Sequence, residues 1–246
     1  MRKFFSSGTL IAALGVWGAL TTGAAAAVVL TGAGPNSRAV IKMALGLVLL
    51  WIVLGGLLMR RLRDPLRAAV QKLHLDWRLK FVLFCTLLAL VEEAVTVTMT
   101  NLAPVFGVPL GAAYITASAD YFDVVGLHSV VVFVPMFIGW AWLLQRYDFS
   151  PNAVFLLFGL TGTLAEVSFG GAQQLLSLGF WTFVYGLMVY LPAYACLPVG
   201  RDARQPRPWH YLLAVFFPDL FAIPVAVALH FIHPARIHFP PIPPNS

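Results

Sequence analysis

The chain of 246 residues is poor in charge: Asp, Glu, Lys and Arg make up only 11% of it, against about 25% in soluble domains. So few charges cannot cover a water-facing surface, which excludes a soluble globule. Cysteine is nearly absent. Cys85 and Cys196 lie far apart, each inside an apolar stretch, which excludes a disulfide framework and a Cys-based metal site and leaves two buried free thiols as the expectation. The chain also lacks zinc-finger spacing, an RNP-like aromatic run, a phosphate-cradling glycine loop, an HExxH helix and a nucleophile elbow. The net charge of +6 therefore does not read as nucleic-acid binding, and no nucleic-acid partner is expected. Cytoplasmic loops of membrane proteins collect Lys and Arg for their own reason.

What is present is apolar sequence in long runs. Apolar residues make up 60% of the chain, and mean hydropathy is +0.84. Seven stretches approach the length of about 20 residues that a bilayer requires: 8–30, 39–59, 80–100, 124–145, 153–171, 178–198 and 210–232. The pattern predicts an all-α, polytopic membrane bundle, a single transmembrane domain over 1–246. The first stretch has two readings. Met1-Arg2-Lys3, an apolar run and Ala24-Ala25-Ala26-Ala27 fit a secretory signal peptide, which would leave six spans. The run continues through Val28-Val29-Leu30, long enough to span as a retained helix.

Charge sets the orientation. With the N-terminus in the cytoplasm, thirteen Lys and Arg residues fall inside and three, Arg38, Lys42 and Arg236, fall outside. This positive-inside bias predicts N-in and C-out, as in a bacterial inner membrane. The basic segment 60–79 repeats Leu66, Val70, Leu73 and Trp77 at helical spacing. It reads as a cytoplasmic amphipathic helix on anionic lipid, or as a plain basic loop that fixes topology. The outer loop 101–123 is uncharged until Asp120 and reads as re-entrant or as a cover. The tail 234–246 is Pro-rich and is expected to be extended.

Several ionisable groups sit where the bilayer makes them costly, and such groups tend to face the protein interior and mark a function. Glu92 and Glu93 lie in the third span, on a polar stripe with Thr96, Thr100 and Asn101. Glu166 lies in the fifth, on a face with Gly159, Thr163, Gly170, Gln173 and Gln174. His128 opens the fourth span, and Asp219 follows Pro218 in the seventh. At the helical rise, Glu92 and Glu93 stand roughly 18–20 Å, Glu166 roughly 21 Å and His128 roughly 25 Å above the cytoplasmic ends of their spans. Asp219, at roughly 15 Å, is closer to the midplane. Consecutive spans tend to be neighbours, so Glu92 or Glu93, His128 and Glu166 are expected to converge in the outer half of the bilayer. Adjacent glutamates differ by about 100° on a helix, so one of the pair is expected to face the cluster and the other a second helix. His210, His230, His233 and His238 read as ordinary interfacial residues.

Close carboxylates in a low dielectric must share a proton or hold a cation. Two chemistries follow. Glu93, His128 and Glu166 could hold a divalent metal that activates water, with Glu92, Glu93, Glu166 and His128 as catalytic groups and Asp219, Asn101 and Gln173 as supporting polar residues. Alternatively, the carboxylates could serve a small proton- or ion-coupled transporter. A third reading makes the chain an accessory subunit of a membrane complex, its polar groups paired with one another or with a partner.

The Glu92-Glu93 pair, followed by His128 near a later span, resembles the CAAX-protease and bacteriocin-processing family of intramembrane peptidases. That resemblance implies water activation by the glutamates and the histidine. It rests on about one short motif. Val97 stands where the family has Arg, Val125 stands three residues before His128 where it has Phe, and its final His motif has no counterpart. The settings of Glu93 (LVEEAV) and Glu166 (TLAEVS) also resemble the Glu-bearing spans of integral-membrane carotenoid cyclases, in the manner of an internal repeat.

Overall fold

The protein is described here by a computed structural model covering residues 6–234. Arg2 and Lys3, and the expected extended tail from 235 onward, lie outside the described residues. The elements are α1 (Ser7–Gly32), α2 (Pro35–Gln71), α3 (Trp77–Asn101), α4 (Val130–Arg146), α5 (Pro151–Gly170), α6 (Leu178–Cys196) and α7 (Pro208–Ile232). A bent segment, Tyr121–His128, enters α4 at an angle of 46°. Among the described residues six helices are long and apolar enough to cross a membrane, and the count is seven when the bent pair Tyr121–His128 and Val130–Arg146 is taken as one span. The chain is an all-α membrane bundle.

Local chemistry sets the helix starts. Ser6, Asp76 and Ser150 cap α1, α3 and α5 with side-chain oxygens that accept from backbone N–H groups, as short polar caps do. Pro35, Pro151 and Pro208 open α2, α5 and α7, where proline loses no hydrogen bond. The basic segment is not detached from its span. Residues 56–71 continue α2 without a break. Its Leu66 and Val70 pack on the protein core, and Gln71 donates to the Ala195 carbonyl at 2.7 Å.

Helix α6 is the centre of the bundle, touching α1, α2, α3 and α5. Glycines on the helices around it make this crowding workable. A Cβ at Gly159 on α5 would stand 2.6 Å from the Thr182 carbonyl oxygen of α6, and one at Gly162 would collide with the Tyr185 ring. Small residues of this kind let membrane helices approach closely. Helix α1 joins the same hub. Gly18 lies against the Gly179 backbone, and Trp17 Nε1 donates to the Leu176 carbonyl at 3.0 Å. A peptidase cutting after Ala27 would remove these contacts. Leucines such as Leu49, Leu57, Leu83, Leu87, Leu212 and Leu220 point away from the core and are exposed, as lipid-facing residues are.

The two ends differ. On the side assigned by charge to the cytoplasm, Phe81, Phe137, Trp140, Leu143, Leu144 and Phe149 are fully buried and pack in one cluster. Below them the α4–α5 and α6–α7 turns are clamped together. Arg201 pairs with Asp148 at 2.7 Å, and Arg204 and Asp148 exchange backbone bonds with the opposite strand of chain. On the other side the segment between α3 and α4 folds back over the bundle. Its Ala103, Val108 and Ala113 are buried against Ala39, Met43 and Met99.

Candidate functional site

Between this tightly packed end and the folded-back segment lies a cavity of about 570 Å³, a size typical of small-molecule sites. Its wall is mainly apolar, including Leu47, Val132, Met136, Phe158, Phe169 and Ala222. Tyr114, Ile115, Thr116 and Ala117 of the α3–α4 segment also line it. That cover is held by named bonds: the Ile115 N–H donates to Thr100 Oγ1 at 3.3 Å, and Asn101 Nδ2 donates to the Ala119 carbonyl at 2.8 Å.

Into this apolar space project Glu92, Glu93, Glu166, His128 and Asp219. The five groups singled out from five positions on four membrane segments thus share one cavity. All three glutamates are buried, and Glu92 lies within electrostatic reach of both Glu93 and Glu166. Each is positioned by its own helix. Thr96, one turn after Glu92 and Glu93, donates to Glu93 Oε2 at 3.0 Å. Glu166 accepts from the Tyr185 hydroxyl of α6.

The arrangement departs from the sequence reading in four respects. First, Glu92 and Glu93 both line the cavity, because it is broad enough to take up more than the 100° that separates them on α3. Second, α5 does not reach the site as the side-by-side neighbour of α4. Its main packing partner is α6, while α4 packs on α3 and α7. Third, Gln173 faces away and bonds the Gly170 carbonyl, whereas Gln174 lines the cavity and accepts from Trp181 Nε1 at 3.0 Å. Helix α5 ends at Gly170, and Gly171 takes φ = 84°, so the α-helical spacing that grouped Gln173 with Glu166 no longer applies. Fourth, Asn101 holds the cover and is not a cavity-lining residue.

The metal-ligand grouping also differs. Among the described residues, the three ligand-type side chains whose donor atoms all lie within 4.8 Å of one another are Asp123, His128 and His233. Glu93 and Glu166 are not in that group. Tyr185 was not singled out from the sequence at all. The available signal was a tyrosine in mid-span, whose hydroxyl needs a partner in an apolar setting.

Chemically, the cavity gathers three glutamate carboxyl groups in an apolar setting, where close carboxylates repel one another. One can hold a proton while another accepts one, with Tyr185 hydrogen-bonded to the cluster. No protein-family model matches the chain, and neither a curated protein nor a solved structure matches it.

Proposed function

We propose that this chain is an intramembrane enzyme that performs carboxylic acid–base catalysis, of a hydrolase type, on a lipophilic substrate held in the cavity. The observation that carries this reading is the meeting of Glu92, Glu93, Glu166 and Tyr185 in one apolar, covered space. Buried carboxyl pairs with split protonation are a recurring acid–base device. An ionised glutamate takes a proton from water, the water oxygen attacks the substrate's electrophilic carbon, and a protonated glutamate gives its proton to the leaving heteroatom. An apolar wall suits an apolar substrate arriving from the membrane.

A proton-coupled carrier needs a path to both faces. The cavity favours the enzyme here, because the buried Phe137, Trp140, Leu143 and Leu144 fill the bundle on the cytoplasmic side.

The test uses a deletion strain complemented with wild type or Glu166→Gln, followed by mass spectrometry of membrane extracts. The expected result is a lipid-soluble species that disappears with wild type and accumulates with Glu166→Gln. Full complementation by Glu166→Gln, with unchanged extracts, overturns the reading.

A further inference from the structure

The chain enters α4 through a π-helical turn, Val124–His128, closed by the Ser129 N–H donating to the Val124 carbonyl at 2.9 Å. A π turn bonds i to i+5, so residues five apart come onto one face. On an α-helix they would stand about 140° apart. The turn thereby places Asp123 beside His128, with Asp123 Oδ2 3.7 Å from His128 Nε2. The end of α7 supplies a third group. His233, the residue that ends the helix, sets its ring edge-on to His128 with centroids 5.7 Å apart. The donor atoms of all three lie within 4.8 Å of one another. The His128 side chain is only 6% exposed and also lines the cavity.

We propose that Asp123, His128 and His233 bind one divalent transition-metal ion, with Zn²⁺ the best match, at the rim of the cavity. Two imidazoles and one carboxylate form a borderline donor set that suits Zn²⁺ better than Mg²⁺ or Ca²⁺. Three protein ligands leave one tetrahedral position for water. Neighbouring ligands around Zn²⁺ stand roughly 3.3–3.5 Å apart for bonds near 2.0–2.2 Å, so from a group lying within 4.8 Å binding draws its widest pair together by up to about 1.5 Å. His233 stands at the helix end and is only partly buried. The ion ties the end of α7 to the entry of α4, across more than 100 residues of chain. This site goes beyond the acid–base reading and does not depend on it, because it contains none of the glutamates.

The test is Zn²⁺ titration of the full chain, purified in detergent without a histidine tag and stripped of metal, against a chromophoric chelator. Mg²⁺ serves as the comparison ion, and Co²⁺ absorbance reports the donor set. The expected result is one Zn²⁺ per chain, weakened at least tenfold by His233→Ala and by Asp123→Asn, and unchanged by Glu93→Gln and Glu166→Gln. His233→Ala sits at a helix end, and an unaltered elution profile verifies its fold. Absence of stoichiometric Zn²⁺ binding overturns the proposal. So does binding that survives His233→Ala and Asp123→Asn, or binding lost in the glutamate variants. A failure of the acid–base reading leaves the Zn²⁺ titration unaffected, so the two can be told apart.

Discussion

The Tyr185 hydroxyl on α6 donates to the Glu166 carboxylate on α5, at the place where Gly162 lets the two helices close on each other. The bond therefore depends on a missing side chain. If acid–base chemistry runs through this pair, Glu166→Gln lowers turnover by about 10²–10⁴-fold, the span typical of a general acid or base. Tyr185→Phe lowers it less, and the double variant is no worse than Glu166→Gln alone, since the two residues act as a unit. Turnover of the lipid identified by the extract comparison measures this, with thermal unfolding as a fold control.

Gly162→Ala forces a Cβ into the Tyr185 ring. Overpacking of this kind costs about 1–3 kcal/mol, and here it also pushes Tyr185 away from Glu166. The expected outcome is a lower unfolding temperature in detergent together with reduced activity. Gly23→Ala, where an added Cβ meets nothing within 4 Å, is the neutral control.

Filling the cavity separates occupancy from architecture. Ala165 lines the cavity, and Ala165→Phe adds a ring to that space without removing any carboxyl group. Function is expected to fall by at least tenfold with unfolding temperature unchanged or raised. Unimpaired function in this variant would mean that nothing needs to enter the cavity.

Orientation can be read by labelling. With the cytoplasmic side assigned by charge, Ser118→Cys in the α3–α4 cover reacts with a membrane-impermeant maleimide in intact cells, and Asp202→Cys reacts only after lysis. Cys85 and Cys196 are buried and give little background.

The start of α3 is predicted to be acid-sensitive. Asp76 accepts from the Arg78 guanidinium at 2.9 Å and from the Arg78 backbone N–H at 2.9 Å, which together hold its carboxyl down at about 2. A depressed carboxyl contributes stability that is complete above its ordinary value and is lost as pH falls through about 2. The charge-dependent part of the difference in unfolding temperature between wild type and Asp76→Ala is therefore constant near neutrality, shrinks below about pH 4 and is lost only below about pH 2. A difference that does not change with pH would assign the role of Asp76 to its shape alone.

The sequence by itself determined the class of fold, the approximate places of the spans and the identity of the costly groups. Twenty-residue apolar runs admit little else in a bilayer, since every backbone polar group there must be bonded within its own helix. Glu92, Glu93, Glu166, His128 and Asp219 were legible because an ionisable residue in oil stands out one position at a time. Only the tertiary structure decided what each of them meets. Helical spacing fixes a direction relative to one axis, and it says nothing of which helix stands opposite. Hence Tyr185, a residue of α6 that looks like ordinary packing, becomes the partner of Glu166. His233, at a helix end, comes beside His128 because α7 packs on α4 and a π turn rotates the entry to that helix. Of the two glutamines grouped with Glu166, Gln174 lines the cavity and Gln173 does not, because the backbone leaves α-geometry at Gly171, where a positive φ redirects the chain.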